Sequence, residues 1–300
     1  MSRLVNIDRD LLVIPGVAIH MDRSVNKGAE LNPAVNLLPL LGCGKEPGAF
    51  RKLIAEAAGV REEHLLSTEL FLYPRTKAVQ TGLNGEFIVS PRLDDLQCVF
   101  GCLEGFLAAK PGGSLPVLAV FNNEEVGSST RQGADSTFLT DVLERIAHGC
   151  GLDSEGWKAA VANSFMVSAD NAHAIHPAHP EYADKGEYPV LGGGIVIKYN
   201  ANQRYTTDAV SGAVFQTICQ EAGVPVQRYS NRADLPGGST LGNISTAHLS
   251  VPTVDIGLPQ LAMHSVCETA GAADTDYLVK AMTAYFSRDF HRDRDGGIVF

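Results

Sequence analysis

The sequence is poor in positive charge. Its 300 residues hold 24 Lys and Arg against 34 Asp and Glu, a formal net charge of −10. Such a surface repels phosphate backbones and anionic bilayers, so neither nucleic acid nor membrane is expected as a partner. No apolar run is long enough to span a bilayer. Met1-Ser2-Arg3 leads into sequence that reads as folded, without the apolar core of a secretory leader. The six cysteines (Cys43, Cys98, Cys102, Cys150, Cys219 and Cys267) follow neither metal-binding nor secreted-domain spacing. Cys98 and Cys102 lie one helical turn apart on an apolar face and are expected as core thiols. These absences together predict a reduced, cytoplasmic protein. There is no internal repeat and no low-complexity segment. Gly237-Gly238-Ser239-Thr240 has no Lys in the position a phosphate loop requires.

What is present is a core-forming composition, 45% hydrophobic, sufficient for one large domain or two smaller ones. From Gly85 onward short apolar runs alternate with amphipathic stretches. Strands are predicted at residues 87–89, 117–121, 165–167, 195–198, 226–229 and 253–256. Helices are predicted over 93–109, with Leu96, Val99, Phe100, Leu103 and Phe106 on the core face, and over 138–146, 209–222 and 274–286. That alternation predicts an α/β fold, a mostly parallel sheet with helices on both faces. Residues 1 to 76 read differently. An apolar stretch, Leu11 to Ile19, is interrupted by Pro15 and runs into His20; Ala49 to Ala58 suits a helix stopped by Gly59; Thr68 to Tyr73 alternates as a strand would.

The stretch that organises the rest is Val120-Phe121-Asn122-Asn123-Glu124-Glu125-Val126-Gly127. A strand ending in Glu-Glu puts two carboxylates at the carboxyl edge of a sheet, where open α/β folds keep their chemistry. Successive strand residues face opposite ways, so both acids serve one site only if the chain turns there, and Gly127 permits the turn. One carboxylate can then bind a cation while its neighbour takes a proton from water. An isolated Glu-Glu is more often a solvated loop. Here, however, Asp94-Asp95, Asp170 and Asp255 also follow strands, and His264 follows Leu261-Ala262-Met263. Acids with a histidine form a hard-to-borderline donor set suited to zinc, manganese or cobalt. Each member alone has a plainer reading: Asp94 as a helix cap, His264 as a packed histidine. His173, His176 and His179 have a helix-like spacing that Pro177 and Pro180 forbid, so they read as groups beside the site. Lys198 and Arg204, in the polar stretch after the strand at 195–198, could hold an acid group of a substrate.

Several of these segments resemble one family. Ser90-Pro91-Arg92-Leu93-Asp94, Asn123-Glu124-Glu125-Val126-Gly127-Ser128, Ser168-Ala169-Asp170-Asn171-Ala172-His173-Ala174-Ile175-His176-Pro177, Asn200-Ala201-Asn202-Gln203-Arg204-Tyr205 and Met263-His264-Ser265 occur in the order found in M18 metalloaminopeptidases, the aspartyl aminopeptidases. They cover nearly the whole chain. Ile14-Pro15-Gly16-Val17-Ala18-Ile19-His20 resembles part of that family's second domain.

The resemblance implies a zinc exopeptidase fold, with residues 1–76 from a β-rich oligomerisation domain and 77–300 from the catalytic domain. It implies two zinc ions per site, with manganese or cobalt as substitutes: Asp94 bridges them, Glu125 and His264 complete one shell, and Asp170 holds the other. Glu124 is then the general base, Lys198 meets an acidic first residue of a peptide substrate, and Arg204 and Met263 lie on the substrate side. His20 reaches the site of a neighbouring subunit in a homo-oligomer, a dodecamer in the family. The family's further His-Thr-Asp segment, whose His ligates the second zinc, is not in this sequence, so a fragment is expected. The rival reading is an inactive fragment or non-catalytic subunit that keeps the fold and the assembly surface. A dinuclear phosphoesterase is disfavoured, because such sites are usually richer in histidine.

Overall fold

A computed structural model describes residues 1–44 and 46–300. They separate into two compact units, Met1–Arg75 and Thr76–Phe300.

The first unit has little regular structure. Helix α1 (Pro33–Asn36) starts where Asn32 accepts the Ala34 N–H at 3.0 Å, with Pro33 preset for the first turn. Helix α2 (Ala49–Ala58) buries Ile54 and Ala55 and stops at Gly59, whose φ of 62° ends the helix. Arg75 closes the unit on itself through Asp8 (2.9 Å) and Asp10. The strand predicted at Thr68 to Tyr73 does not form. Among the described residues this unit holds one bridge, Val13 to Leu40. A strand needs a ladder partner, and here Val13, Val17, Leu70 and Phe71 stay exposed instead.

The second unit carries two sheets. The first runs β1 (Val79–Thr81), β2 (Phe87–Ser90), β9 (Glu268–Gly271), β8 (Pro259–Leu261) and β4 (Ala172–His173); the second runs β3 (Met166–Ala169), β7 (Thr253–Gly257), β5 (Ile195–Tyr199) and β6 (Val226–Ser230). Helices α3 (Leu93–Ala108), α4 (Phe138–Gly149), α5 (Ser154–Ala162), α6 (Ala209–Glu221), α7 (Leu241–Ser245) and α8 (Asp274–Phe286) flank them, and the short hairpin β10 (His291–Arg292) and β11 (Ile298–Val299) ends the chain.

The α/β class holds, but the sheets are mixed. The pairs β3–β7, β5–β6 and β4–β8 are parallel, while β5–β7, β1–β2, β2–β9 and β8–β9 are antiparallel. The reason lies in the connections. Residues 170–194 between β3 and β5, the two strands that flank β7, supply no α-helix, and β8 returns to β9 over a short loop, so neither link is the helical crossover of a parallel sheet. The core joins Ile195, Ile197, Val254 and Ile256 of the second sheet, and Leu258 between β7 and β8, to Phe215 and Ile218 of α6 and Leu278 and Met282 of α8.

Two further expectations are corrected. Residues 117–121 join no ladder among the described residues, and Val117 and Val120 are exposed. A strand apolar on both faces needs neighbours on both sides, and none runs beside this one. Helix α3 forms where its periodicity predicts, but it buries Gln97, Cys98, Gly101, Cys102 and Gly105, leaving Leu96, Phe100 and Leu103 exposed. The inner face is chosen by close approach to α8. A Cβ on Gly101 would stand 2.6 Å from Leu278 Cδ2, and one on Gly105 2.5 Å from Met282 Cβ and 3.0 Å from its backbone. Gly105→Val is therefore expected to lower unfolding free energy by about 1–3 kcal/mol through overpacking. A denaturant melt with an unchanged midpoint would contradict so tight a seam.

Candidate metal centre

The centre is assembled from four strand or loop ends. Asp94 and Asp95, joined by a cis peptide bond, sit where β2 passes into α3; their φ/ψ values are non-helical although the helix begins at Leu93. Asp170 follows β3. Asn123, at φ 61°, starts a tight turn in which its carbonyl accepts the Ser128 N–H at 2.8 Å and Gly127 adopts φ 100°. Glu124, Glu125 and Val126 form one 3-10 turn inside it, so the two acids need not point to opposite faces. His264 lies in the β8–β9 loop at φ 66°, two residues after Ala262 at φ 57°. Left-handed backbone costs a non-glycine residue about 1–2 kcal/mol, and Arg92, Asn123, Ala262 and His264 all bear it around this one place.

The side chains converge. His264 Nε2 stands 3.2 Å from Asp94 Oδ2 and 3.0 Å from Glu125 Oε2. Donor atoms of Asp94, Glu125 and His264 all lie within 4.8 Å of one another, as do those of Asp94, Asp95 and Asp170, so Asp94 belongs to both groups. Glu124 is half-buried beside them and outside both. Lys198, on β5 and only 2% exposed, places Nζ 3.3 Å from Asp170 Oδ2 and 2.9 Å from the Asn171 carbonyl, with the Tyr205 ring 5.4 Å away.

The electrostatics follow from crowding like charges out of water. Burial, then Asp170 and Glu125, push the Asp94 carboxyl up to about 8. Burial and Asp170 hold Asp95 well above the carboxylate range. Burial, Asp170 and Glu125 raise Glu124 to about 7, against the pull of Lys198 and His264. Burial works against the Lys198 charge, yet Asp170, Tyr205 and Asp255 hold its ammonium above the ordinary lysine range. Protein crowded round its ring and the Lys198 charge draw His173 down.

These residues fit a divalent cation. Asp94 Oδ1 is buried with no hydrogen-bond partner, a cost of about 1–3 kcal/mol unless something positive meets it. The donors around it are carboxylate oxygen and imidazole nitrogen, a set that suits zinc.

Of the other residues singled out from sequence, Asp255 takes no part. It is fully buried, accepting from the Thr206 backbone and hydroxyl and from Thr240 Oγ1 at 2.8 Å. Met263 is half-buried beside His264, Arg204 is exposed in the turn after β5, and His176 and His179 are exposed. His20 is exposed in the first unit. Sequence reasoning passed over Asn171 and Glu268. Asn171 ties Asp170 to the start of α3: its N–H donates to Asp95 Oδ1 at 3.1 Å, and its amide donates to the Leu93 carbonyl at 3.1 Å and to Gln260 Oε1 at 2.8 Å. Its place directly after Asp170 was the available signal. Glu268 had none beyond lying four residues after His264.

The second unit is thus of the α/β class, with carboxylates and an imidazole gathered from separate strand and loop ends into a candidate metal centre. The sequence model of the M18 family, aminopeptidase I zinc metalloproteases, matches residues 1–286, and the chain belongs to that family. It is 45% identical over 290 residues to a probable M18 family aminopeptidase 2 of Clostridium acetobutylicum, covering 95% of this chain and 67% of the relative. Among solved structures it resembles a chain of the Ape4–Nbr1 complex (TM-score 0.84, 35% identity, 94% of this chain and 58% of that one). It also resembles the mApe1 dodecamer of S. cerevisiae (TM-score 0.70, 28% identity, 83% and 59%). The chain thus spans about two thirds of the length of the curated relative and less of these solved chains.

A pH dependence follows. The folded chain holds the Asp94 proton up to about 8, the unfolded chain only to about 4. Between these values the folded state binds more protons, so stability present at low pH is lost as pH rises. The metal-free protein is expected to melt lower at about pH 8 than at about pH 5, and zinc is expected to restore the higher melt at the upper pH. A melting temperature independent of both would contradict the cluster.

Proposed function

We propose that this chain carries the catalytic body of a dinuclear zinc aminopeptidase that removes an acidic first residue from peptides. The observation that carries the reading is Asp94 shared between two donor groups, with Glu124 adjacent but outside both. Asp94, Glu125 and His264 would hold one zinc, and Asp94 with Asp170 the other. Zinc there lowers the pKa of an attacking water and polarises the scissile carbonyl.

The remaining work falls to the protein. Glu124, half-buried beside the two donor groups, takes the proton of the attacking water. It then returns that proton to the leaving amine, the same carboxyl acting first as base and then as acid. Lys198 is assigned to an acidic first residue on the family resemblance; its buried ammonium stands 3.3 Å from Asp170, with which it is paired. Arg204 and Met263 are assigned to the substrate side. His20 is assigned to the site of a neighbouring subunit in a homo-oligomer, an assignment that draws on the yeast relative solved as a dodecamer.

One observation favours a second reading. The donor group around Asp170 is carboxylate throughout, Asp94, Asp95 and Asp170, which binds zinc less well than a set with imidazole. A non-catalytic subunit that retains the fold would show this. Zinc content separates the two: two ions per chain with cleavage of an aspartyl chromogenic peptide supports the enzyme, and one or none with no turnover supports the subunit.

Glu124→Gln is expected to lower kcat by about 10²–10⁴-fold with zinc content unchanged; zinc lost together with activity would sink the base assignment. Lys198→Met is expected to bring kcat/KM for aspartyl and leucyl substrates toward equality. An unaltered ratio would remove Lys198 from specificity.

A further inference from the structure

Glu268 opens β9, is 2% exposed, and stands opposite Ser90 in the β2–β9 ladder. Its carboxylate acts as a fork. Oε2 accepts the Asp94 N–H at 3.0 Å, and Oε1 accepts the His264 N–H at 2.7 Å. Both donors sit on irregular backbone, Asp94 at φ −83° and ψ 114° and His264 at φ 66°, so neither is held by a helix or ladder bond of its own. The residues so joined are the two whose side chains meet at 3.2 Å in the centre.

Only a carboxylate on this reach suits the task. Two converging N–H donors need two acceptor oxygens. Glutamine offers one oxygen and turns an NH₂ against the other amide, while aspartate is one methylene short.

Resting on the zinc reading above, we propose that Glu268 is a positioning residue, a clamp on the backbone of both Asp94 and His264 that presets their side chains for the cation. It acts through those two amides and touches neither substrate nor reacting atoms. Groups that orient metal ligands in this way tune affinity although they bind no metal. A matched comparison exists in the same unit. Asp274 is also a fully buried carboxylate, accepting the Gly192 N–H at 2.8 Å and the Gly194 N–H at 3.0 Å, but it holds no candidate ligand.

The test titrates zinc against a chelating indicator into the metal-free full chain and its variants, with thermal melts alongside. Glu268→Gln is expected to raise the zinc dissociation constant about ten- to a hundredfold while still unfolding cooperatively. Asp274→Asn is expected to lower the melting temperature with zinc affinity unchanged. Equal affinity in Glu268→Gln and wild type overturns the clamp. So does an equal loss of affinity in both variants, because the effect would then be one of stability alone. If wild type binds no zinc, the metal reading fails separately. In that case, or if Glu268→Gln does not fold, hydrogen exchange of metal-free wild type decides: slow, matched exchange at the Asp94 and His264 amides supports the clamp, and fast exchange at either overturns it.

Discussion

Carboxylates brought together out of water repel one another, and the second unit is built around tolerating that repulsion. Donor atoms of Asp94, Asp95 and Asp170 lie within 4.8 Å of each other, with Glu125 grouped with Asp94 and Glu124 nearby. Lys198 offsets part of it beside Asp170, His264 stands against Asp94, and one oxygen of Asp94 is left without a partner. In isolation such a cluster is a cost, visible in carboxyls held well above the ordinary range by burial and by one another. A divalent cation converts the cost into binding free energy, which is why sites of this kind couple metal occupancy to the stability of the fold.

The backbone around the cluster shows how it is held. Left-handed residues at Arg92, Asn123, Ala262 and His264 re-aim three separate segments toward one point. Asn171 fastens Asp170 to the start of α3, and Glu268 fastens that same start to the His264 loop. These hydrogen bonds join irregular backbone at the candidate centre to buried polar side chains, so the rigid parts of the fold carry the irregular ones.

Much of this was legible in the chain. An acid after an apolar run signals a strand end, which marks Asp94-Asp95, Glu124-Glu125 and Asp170, and His264 stands after another run; which acid of each pair would hold metal comes from the family resemblance. The same signal also marked Asp255, which proves to be a structural tie among threonines, because strand-end position says nothing about which way a side chain turns. Hydrophobic periodicity located α3 and put Phe106 against the core, but it also turned Leu96, Phe100 and Leu103 inward, since periodicity weighs side-chain bulk and the α3–α8 contact is set by its absence at Gly101 and Gly105. Glu268 was invisible because its partners are backbone amides of residues distant in sequence, and no side-chain pattern records them. The strands expected at 68–73 and 117–121 had the right residues, but a ladder is a property of pairs.

The glycine seam has a reach beyond packing. The regular turns of α3 follow the non-helical acid pair and press onto α8 through Gly101 and Gly105. Those turns move as one piece. A shift at the seam is carried along them to the point where the Asp94-Asp95 link joins the helix, roughly 10 Å away. A packing fault in the apolar interior can therefore disturb the candidate centre without altering any residue of it.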